Sequence, residues 1–228
     1  MVFSQWYISK KRLITLLSSG LDNLLADSLH SVIKDNLGEP VYKKIESRLQ
    51  DRYKITVLES IRDFSKMDAT LRELFQEGAD EIEKKFLNNF ISIEPVPSKN
   101  KTWITIHDQS LANLIMASFS DSDKRKILNN LLLKEPTLIS DIVKMCNLTK
   151  STGYRMIKEL TDNGLLTEIG YSLTSDGRKM NRYVSLFENM QVNVVGGKLE
   201  LKVQINNDFL KQSQIIQIHP MYMNFVEK

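Results

Sequence analysis

The stretch TKSTGYRMIKELTDNG, residues 149–164, decides the fold of about a third of this chain. Met156, Ile157 and Leu160 fall on one stripe of a helix that the spacing predicts over residues 150–163, and this stripe is expected to pack on neighbouring helices. Thr149 stands where it can cap the helix N-terminus, and Gly164 stands where a left-handed residue commonly ends one. The stretch therefore predicts a capped, amphipathic helix with sharp ends.

Two further helices and a hairpin are predicted around this helix. KRKILNNLLL, residues 124–133, has one apolar face, and Thr137 is placed to cap a second helix from residue 138 to about 146. Asn147 and Leu148 are expected to form the turn before Thr149. Strands at 166–173 and 180–187 flank TSDGRK, residues 174–179, in which Asp-Gly favours a hairpin turn. This order predicts a winged helix-turn-helix over 120–187, a unit that lays one helix in the major groove of DNA and a wing on the flanking backbone.

The polar face of the third helix and the wing carry the side chains that such a unit uses on DNA. Hydroxyls and an arginine near a helix N-terminus can reach base edges, and cations can neutralise phosphates. The candidate DNA-binding residues are Lys150, Ser151, Thr152, Tyr154, Arg155 and Lys158 on the helix, with Arg178, Lys179 and Arg182 in the wing. The alternatives are a merely solvated helix face and a wing loop that its cations keep soluble.

Charge and composition restrict the class of protein. Residues 121–187 hold 11 Lys/Arg against 8 Asp/Glu, which accounts for the whole formal excess of +3. That excess is small for a nucleic-acid binder, so its location is more informative than its size. One cysteine and three scattered histidines (His30, His107 and His219) provide no metal-ligand spacing, so no metal is expected.

Three parts of the sequence resemble winged-helix transcriptional regulators of the ArsR and TrmB type, which are common in archaea. They are KRKILNNLLL, the stretch TKSTGYRMIKELTDNGLL and the basic hairpin, and the resemblance covers about residues 110–187. The resemblance implies that residues 151–158 are the recognition segment and residues 178–182 the wing tip. The metal-sensing branch of these regulators uses clustered Cys and His, which this chain lacks. The chain departs from the pattern at Gly153, where an apolar β-branched residue is common. Glycine inside a helix costs about 1 kcal/mol relative to alanine; either the backbone packs closely there, or the helix firms up only on DNA.

Residues 1–92 are predicted to be helical, with no β pattern. The apolar positions of 21–37 follow a period close to 3.6, Gly38 and Pro40 mark a helix end and the next start, and Thr56 is placed to cap a short helix. The segment YKITVLESIRDFSKMDATLRELFQEGADEIEKKFLNNF, residues 53–90, is similar to the archaeal Nitrosopumilus output domain family, which implies a signalling role. The charged run at 81–85, which includes Glu83, is interpreted as a solvated helix face.

The remaining segments are a linker and a C-terminal hairpin. EPVPSKNK, residues 94–101, is typical of a stiff connection, and residues 103–106 are expected to form a short strand. Residues 192–205 alternate around Gly196-Gly197 and predict a hairpin with one apolar face. Since an isolated hairpin is marginal, we expect this one to pack on the N-terminal domain or on a second subunit.

The predicted fold class is mainly α with a small β component: a helical dimerisation or sensor domain (1–94), a linker (95–110), the winged helix-turn-helix (111–187), and a C-terminal hairpin and tail (188–228). The predicted function is that of a homodimeric, sequence-specific regulator of transcription that binds double-stranded DNA, with an effector or signalling partner at the N-terminal domain. A protein–protein adaptor and a non-specific architectural DNA binder remain alternatives.

No glycine-rich phosphate loop, nucleophile elbow or catalytic carboxylate pair is present, so neither an enzyme nor a cofactor is expected. Without a signal-peptide pattern or a run of about 18 apolar residues, a cytoplasmic location is expected and a membrane partner is not.

Overall fold

The structure is a computed structural model that describes residues 20–94, 100–132, 135–173 and 177–218. Several parts of the predicted organisation lie outside the described residues: residues 1–19 of the N-terminal domain, the proline-containing part of the linker (95–99), the centre of the predicted wing tip (174–176) and the end of the C-terminal tail (219–228, with His219). Among the helices described, none combines the length and the apolar character needed to cross a membrane.

Five α-helices form the described N-terminal part, residues 20–94, as the apolar spacing predicts. They are α1 (Gly20–Leu37), α2 (Glu39–Tyr53), α3 (Val57–Arg62), α4 (Phe64–Phe75) and α5 (Ala79–Phe90), with a 3-10 turn at Gln76–Gly78 between the last two. Thr56 caps α3 in a capping box with Glu59. Gly38 has a φ of +72° between α1 and α2, so the predicted breaks at Gly38 and Thr56 are confirmed.

Four helices and a three-stranded sheet follow in the described chain. The elements are α6 (Gln109–Ser120), α7 (Ser122–Leu131), β3 (Thr137–Leu138), α8 (Ile139–Met145), α9 (Lys150–Asp162), β4 (Leu166–Leu173) and β5 (Lys179–Ser185), and the sheet order is β3-β5-β4. The prediction that Thr137 caps α8 is wrong, because Thr137 pairs with Tyr183 in the sheet and α8 begins after Leu138 without a side-chain cap.

A second antiparallel sheet joins distant parts of the chain. Its strands are β1 (Ile91–Ile93), β2 (Lys101–Ile106), β6 (Phe187–Val195) and β7 (Lys198–Asn206), in the order β1-β2-β7-β6. The short helices α10 (Asn207–Gln212) and α11 (Gln214–Gln217) follow β7. The strand expected at residues 103–106 is confirmed, whereas the prediction that 1–92 lacks β structure is wrong at Ile91 and Ser92.

The predicted fold class, mainly α with a small β component, is wrong. Strands make up 23% of the structure and form one sheet of four strands and one of three, so the fold is mixed α/β. The error has a physical cause: alternation of apolar residues indicates a strand but not its partner. β7 pairs with β2 across the whole winged segment, with Ile104 opposite Val203, and this pairing turns a terminal hairpin into half of a central sheet.

One apolar core runs through the described chain, and α1 lies at the point where its parts meet. The apolar face of β7, formed by Leu201, Val203 and Ile205, is buried in this core. Gly164, which ends α9, packs so closely on α1 that an added Cβ would lie 2.4 Å from the backbone nitrogen of Leu24. The winged unit and the C-terminal hairpin therefore both contact the rest of the chain, while the fourfold domain division stays a prediction.

The C-terminal segment is tied to α1 through a buried carboxylate. Asp22 accepts hydrogen bonds from the hydroxyl of Ser213 and from the backbone N–H groups of Gln214 (3.0 Å) and Ile215 (3.3 Å). Burial raises the pKa of Asp22 from 3.8 to about 6, although these three hydrogen bonds lower it. The carboxylate thus holds the first turn of α11 against α1.

Candidate nucleic-acid interface

The start of α9 is set by a tight turn and a cap. Asn147 adopts a φ of +52° between α8 and α9, and the Leu148 N–H donates to the carbonyl of Val143 at 3.1 Å. The Thr149 hydroxyl accepts a hydrogen bond from the Thr152 N–H at 3.3 Å. The predicted turn and the Thr149 cap are confirmed, and together they place α9 directly after α8.

Gly153 is the point of closest approach between α9 and α8. It is buried, and a Cβ added there would lie 2.4 Å from Cγ2 and 3.3 Å from Cβ of Val143. Of the two explanations open for this glycine, close backbone packing is therefore the one observed. Met156, Ile157 and Leu160 are buried on the same side of the helix, which confirms the predicted inner stripe.

The opposite side of α9 faces solvent. Five of the six candidate residues on this helix have exposed side chains, namely Lys150, Ser151, Tyr154, Arg155 and Lys158. Thr152 is half-buried, and its hydroxyl accepts a hydrogen bond from the Thr149 hydroxyl at 3.0 Å. The structure thus brings the helical candidates together on one surface of about two and a half helical turns.

Acidic residues one turn away accompany two cations of this surface. Nη1 of Arg155 lies 3.8 Å from Oε2 of Glu159, and Lys158 pairs with Asp162. Glu159 also pairs with Lys124 of α7. Exposed pairs of this kind contribute only about 0.3–0.5 kcal/mol, so a phosphate can replace the carboxylate at little cost. Their i,i+4 spacing is the signal in the sequence that could have identified these partners.

The wing residues separate into two groups. Arg178 and Lys179 are exposed at the start of β5, and Nζ of Lys179 lies 4.8 Å from the centre of the exposed Tyr171 ring. Arg182 is half-buried instead: its Nε donates to the Ser172 hydroxyl and its Nη1 to the Pro136 carbonyl, both at 2.8 Å. Arg182 therefore links β5 to β4 and to the segment before α8, apart from the exposed pair.

Tyr183, Asn181 and Glu168 form a polar cluster in the three-stranded sheet. The Tyr183 hydroxyl donates to Oε1 of Glu168 at 3.0 Å, and Asn181 Nδ2 donates to Oε2 of the same carboxylate at 2.8 Å. Burial, followed by the charge of Glu168, raises the pKa of Tyr183 to about 12, so this tyrosine is a neutral donor at physiological pH. The cluster fixes Glu168, an acidic residue of the wing that the sequence did not single out.

Two further observations concern acidic side chains elsewhere in the described chain. Within the described ranges, no group of three or more His, Cys, Asp and Glu side chains is arranged to hold a metal ion.

The interpretation of Glu83 as part of a solvated face is wrong, because this residue is only 3% exposed and packs beside Asp68. Burial, followed by the charge of Asp68, raises the pKa of Glu83 to about 8. Glu83 lies on the same stripe of α5 as the buried residues Ala79, Phe86 and Phe90, and this helical spacing is the signal in the sequence that could have identified its burial.

No protein-family model matches the chain, and no curated protein is found to match it. The resemblance to winged-helix regulators consequently stays a prediction supported by the quoted residues.

Proposed function

We propose that this protein is a sequence-specific, double-stranded DNA-binding regulator of transcription that acts as a homodimer. The observation that carries the proposal is the two-sided character of α9: Gly153 and its apolar neighbours fix one side against α8, and Lys150, Ser151, Tyr154, Arg155 and Lys158 occupy the exposed side. α9 enters the major groove, where an arginine can bind guanine through two hydrogen bonds.

The wing supplies contacts that do not depend on sequence. Arg178 and Lys179 are exposed and stand at the end of a hairpin, so they reach phosphates that flank the groove. Arg182 acts as a positioning residue, because its guanidinium already bonds Ser172 and Pro136. Base reading and backbone contact are thus divided between α9 and the wing.

The first experiment is selection of sheared genomic DNA by the purified protein at moderate salt, followed by sequencing. A palindromic motif among the retained fragments supports a dimeric, sequence-specific regulator. Retention of all fragments alike, lost on adding salt, supports an architectural binder instead.

Substitution of Arg155 by alanine tests base reading by α9. We expect a loss of about 1–3 kcal/mol on the selected motif and a relaxed preference at one base position. Lys43→Ala is the matched control, because the Lys43 side chain is 68% exposed and forms an i,i+4 pair with Glu39, much as Arg155 is 66% exposed and pairs with Glu159. Equal affinities for Arg155→Ala and Lys43→Ala would remove Arg155 from the interface.

Substitution of Arg178 by alanine tests the wing. A phosphate contact is expected to weaken all duplexes alike and to reduce the dependence of log affinity on log salt by about one unit. A change confined to one sequence would contradict a backbone role and indicate base contact in the minor groove.

The second candidate function is a winged-helix adaptor that binds another protein. Two observations favour it: acidic partners accompany Arg155 and Lys158, and the large side chains of Met145 and Tyr154 are exposed on α8 and α9. Duplex binding that is absent at every salt concentration would favour this candidate. In either case the N-terminal helices receive a small effector or a signalling partner.

A further inference from the structure

β6 is a long edge strand with nothing paired to its outer side in the described part of the chain. The sheet order β1-β2-β7-β6 places β6 at one edge and the three-residue β1 at the other. Natural proteins usually protect such edges with lysines, prolines or bulges. The one register shift of β6 lies between Phe187 and Asn189, so the strand is regular from Met190 to Val195.

The regular part of β6 is uncharged and exposes three valines. Val192, Val194 and Val195 are 40%, 74% and 62% exposed, and the stretch MQVNVV, residues 190–195, contains neither a charge nor a proline. Glu188, the one charged residue of the strand, pairs with Lys101 of β2. β2 pairs with β7 only as far as Leu201. The end of the β6–β7 hairpin, between Leu201 and the Gly196-Gly197 turn, therefore extends beyond β2.

The hairpin turn determines which backbone groups point outward. Gly196 and Gly197 have φ values of +57° and +78° and form a two-residue loop between Val195 and Lys198. In such a hairpin the residues beside the loop form the first hydrogen-bonded pair, and bonded pairs then alternate. The N–H and C=O groups of Val195, Asn193 and Gln191 therefore face β7.

The hydrogen bonds between β7 and β2 agree with this assignment. Asn207 N–H donates to the Asn100 carbonyl at 2.9 Å, so odd-numbered residues of β7 bond β2 and even-numbered residues bond β6. The backbone groups of Met190, Val192 and Val194 consequently point away from the sheet, and none of them has a hydrogen-bond partner within the described residues. We call these three residues the β6 edge.

The β6 edge is complementary to itself. When two copies are placed antiparallel about a two-fold axis at Val192, Met190 lies opposite Val194 of the second copy and Val192 lies opposite its own equivalent. Each copy offers three donors and three acceptors, so six backbone hydrogen bonds close the ladder. On the other face, Gln191 lies opposite Asn193 of the second copy. MQVNV alternates apolar and polar residues in the same order in both directions.

We infer that the homodimer forms by antiparallel pairing of the β6 edges of two copies, which joins two four-stranded sheets into one of eight strands. Pairing of identical edges about a two-fold axis closes the assembly at two copies. Like charges do not meet, because this register places Glu188 opposite Gly196 of the second copy. The inference rests on the proposed function only in taking this dimer to be the DNA-binding species.

Charge placed on the two-fold axis tests the pairing. Val192→Lys and Val192→Glu each put two like charges side by side, so each variant is expected to sediment in the absence of DNA as the 26.3 kDa chain. An equimolar mixture of the two variants is expected to restore a particle of twice that mass. Val195→Lys is the control, because Val195 points to the other face and lies opposite Asn189; this variant should remain dimeric.

A proline substitution gives an independent test. Val192→Pro removes an outward N–H that takes no part in the β6–β7 ladder, so the variant should fold, be monomeric and melt as the Val192→Lys monomer does. Asn193→Pro removes an N–H inside the ladder and should lower the melting temperature. A wild-type protein that stays monomeric at high micromolar concentration, or a dimer that Val192→Lys leaves intact, would overturn the inference.

Failure of this inference and failure of the proposed function give different results. A Val192→Lys monomer should still bind a half-site through α9, with lower affinity for the full motif. A stable dimer that depends on Val192 but binds no duplex would reject the proposed function and leave the pairing in place.

Discussion

Replacing Gly153 by alanine tests whether close packing of α9 on α8 is the reason for a glycine near the start of the helix. An exposed helical glycine replaced by alanine would stabilise the protein by about 1 kcal/mol. At Gly153 the new Cβ would lie 2.4 Å from Cγ2 of Val143, more than an ångström inside the usual carbon–carbon contact of about 3.5–4.0 Å. Valine in a helix occupies about 90% one rotamer, so Cγ2 cannot readily rotate away.

The expected magnitude follows from these two opposing effects. Overpacking a close contact costs about 1–3 kcal/mol, which exceeds the gain in helix propensity. Because the contact would be more than an ångström too close, the cost lies in the upper part of that range, about 2–3 kcal/mol, and subtracting the gain of about 1 kcal/mol leaves a loss of about 1–2 kcal/mol in the free energy of unfolding of Gly153→Ala. Val143→Ala loses about 1.6 kcal/mol for two buried methyl groups, with a further cavity term. In the double variant the Cβ added by Gly153→Ala fills the space that Val143→Ala vacates, so the two losses should not add, and a coupling of about 1–3 kcal/mol is expected.

Urea unfolding of the wild type, the two single variants and the double variant measures this coupling. Gly78→Ala is the control, because Gly78 has an ordinary φ of −73° and an added Cβ would have Phe75 Cβ at 4.0 Å as its neighbour. That variant should be neutral or slightly more stable. The reasoning fails if Gly153→Ala gains stability as Gly78→Ala does, or if the losses of the two single variants add in the double variant.

Three further predictions concern the contacts that hold the winged unit and the C-terminal segment in place. Gly164→Ala should destabilise more than Gly153→Ala, as urea unfolding would show, because the residue has a φ of +72° and the added Cβ would lie 2.4 Å from the backbone nitrogen of Leu24. Because burial raises the pKa of Asp22 from 3.8 to about 6, the native protein binds a proton that the unfolded chain lacks between these values. Its contribution to stability is present below the unfolded pKa and is lost, by about 3 kcal/mol, as pH rises through 6. Because Glu83 also has a raised pKa and titrates in both proteins, the informative quantity is the difference: between about pH 4 and about pH 7 the wild type should lose about 3 kcal/mol more than Asp22→Asn. Arg182→Ala should cost about 1–2 kcal/mol of stability through its two lost hydrogen bonds, yet leave the salt dependence of DNA binding unchanged, whereas a phosphate contact would reduce that dependence.

Local features of the fold were predicted well from the sequence. The Thr149 cap, the positive φ of Gly164 and the inner stripe of α9 each depend on residues within a few positions of one another. The exposure of Lys150 and Arg155 follows from the same periodicity. Hence the helix-turn-helix, its polar face and the hairpin turn at Gly196-Gly197 could be identified before the structure was known.

Predictions that needed long-range information failed. Thr137 was expected to cap a helix but pairs with Tyr183, since a strand partner 46 residues away competes with a local cap. Arg182 was grouped with the wing cations, and only the position of the Pro136 carbonyl shows that its guanidinium is engaged. Glu83 lies on a helix with many charges, and its burial depends on what packs against that face of α5.

The sequence by itself determined where helices begin and end and which face of α9 is polar, because hydrogen bonds within a helix and its caps join residues that are close along the chain. Only the tertiary structure decided that β7 lies between β2 and β6, that Gly153 is needed because of Val143, and that Asp22 holds the start of α11. Each of these depends on contacts between residues whose proximity is created by the collapse of one apolar core, and a local pattern carries no record of which distant partner that collapse will select.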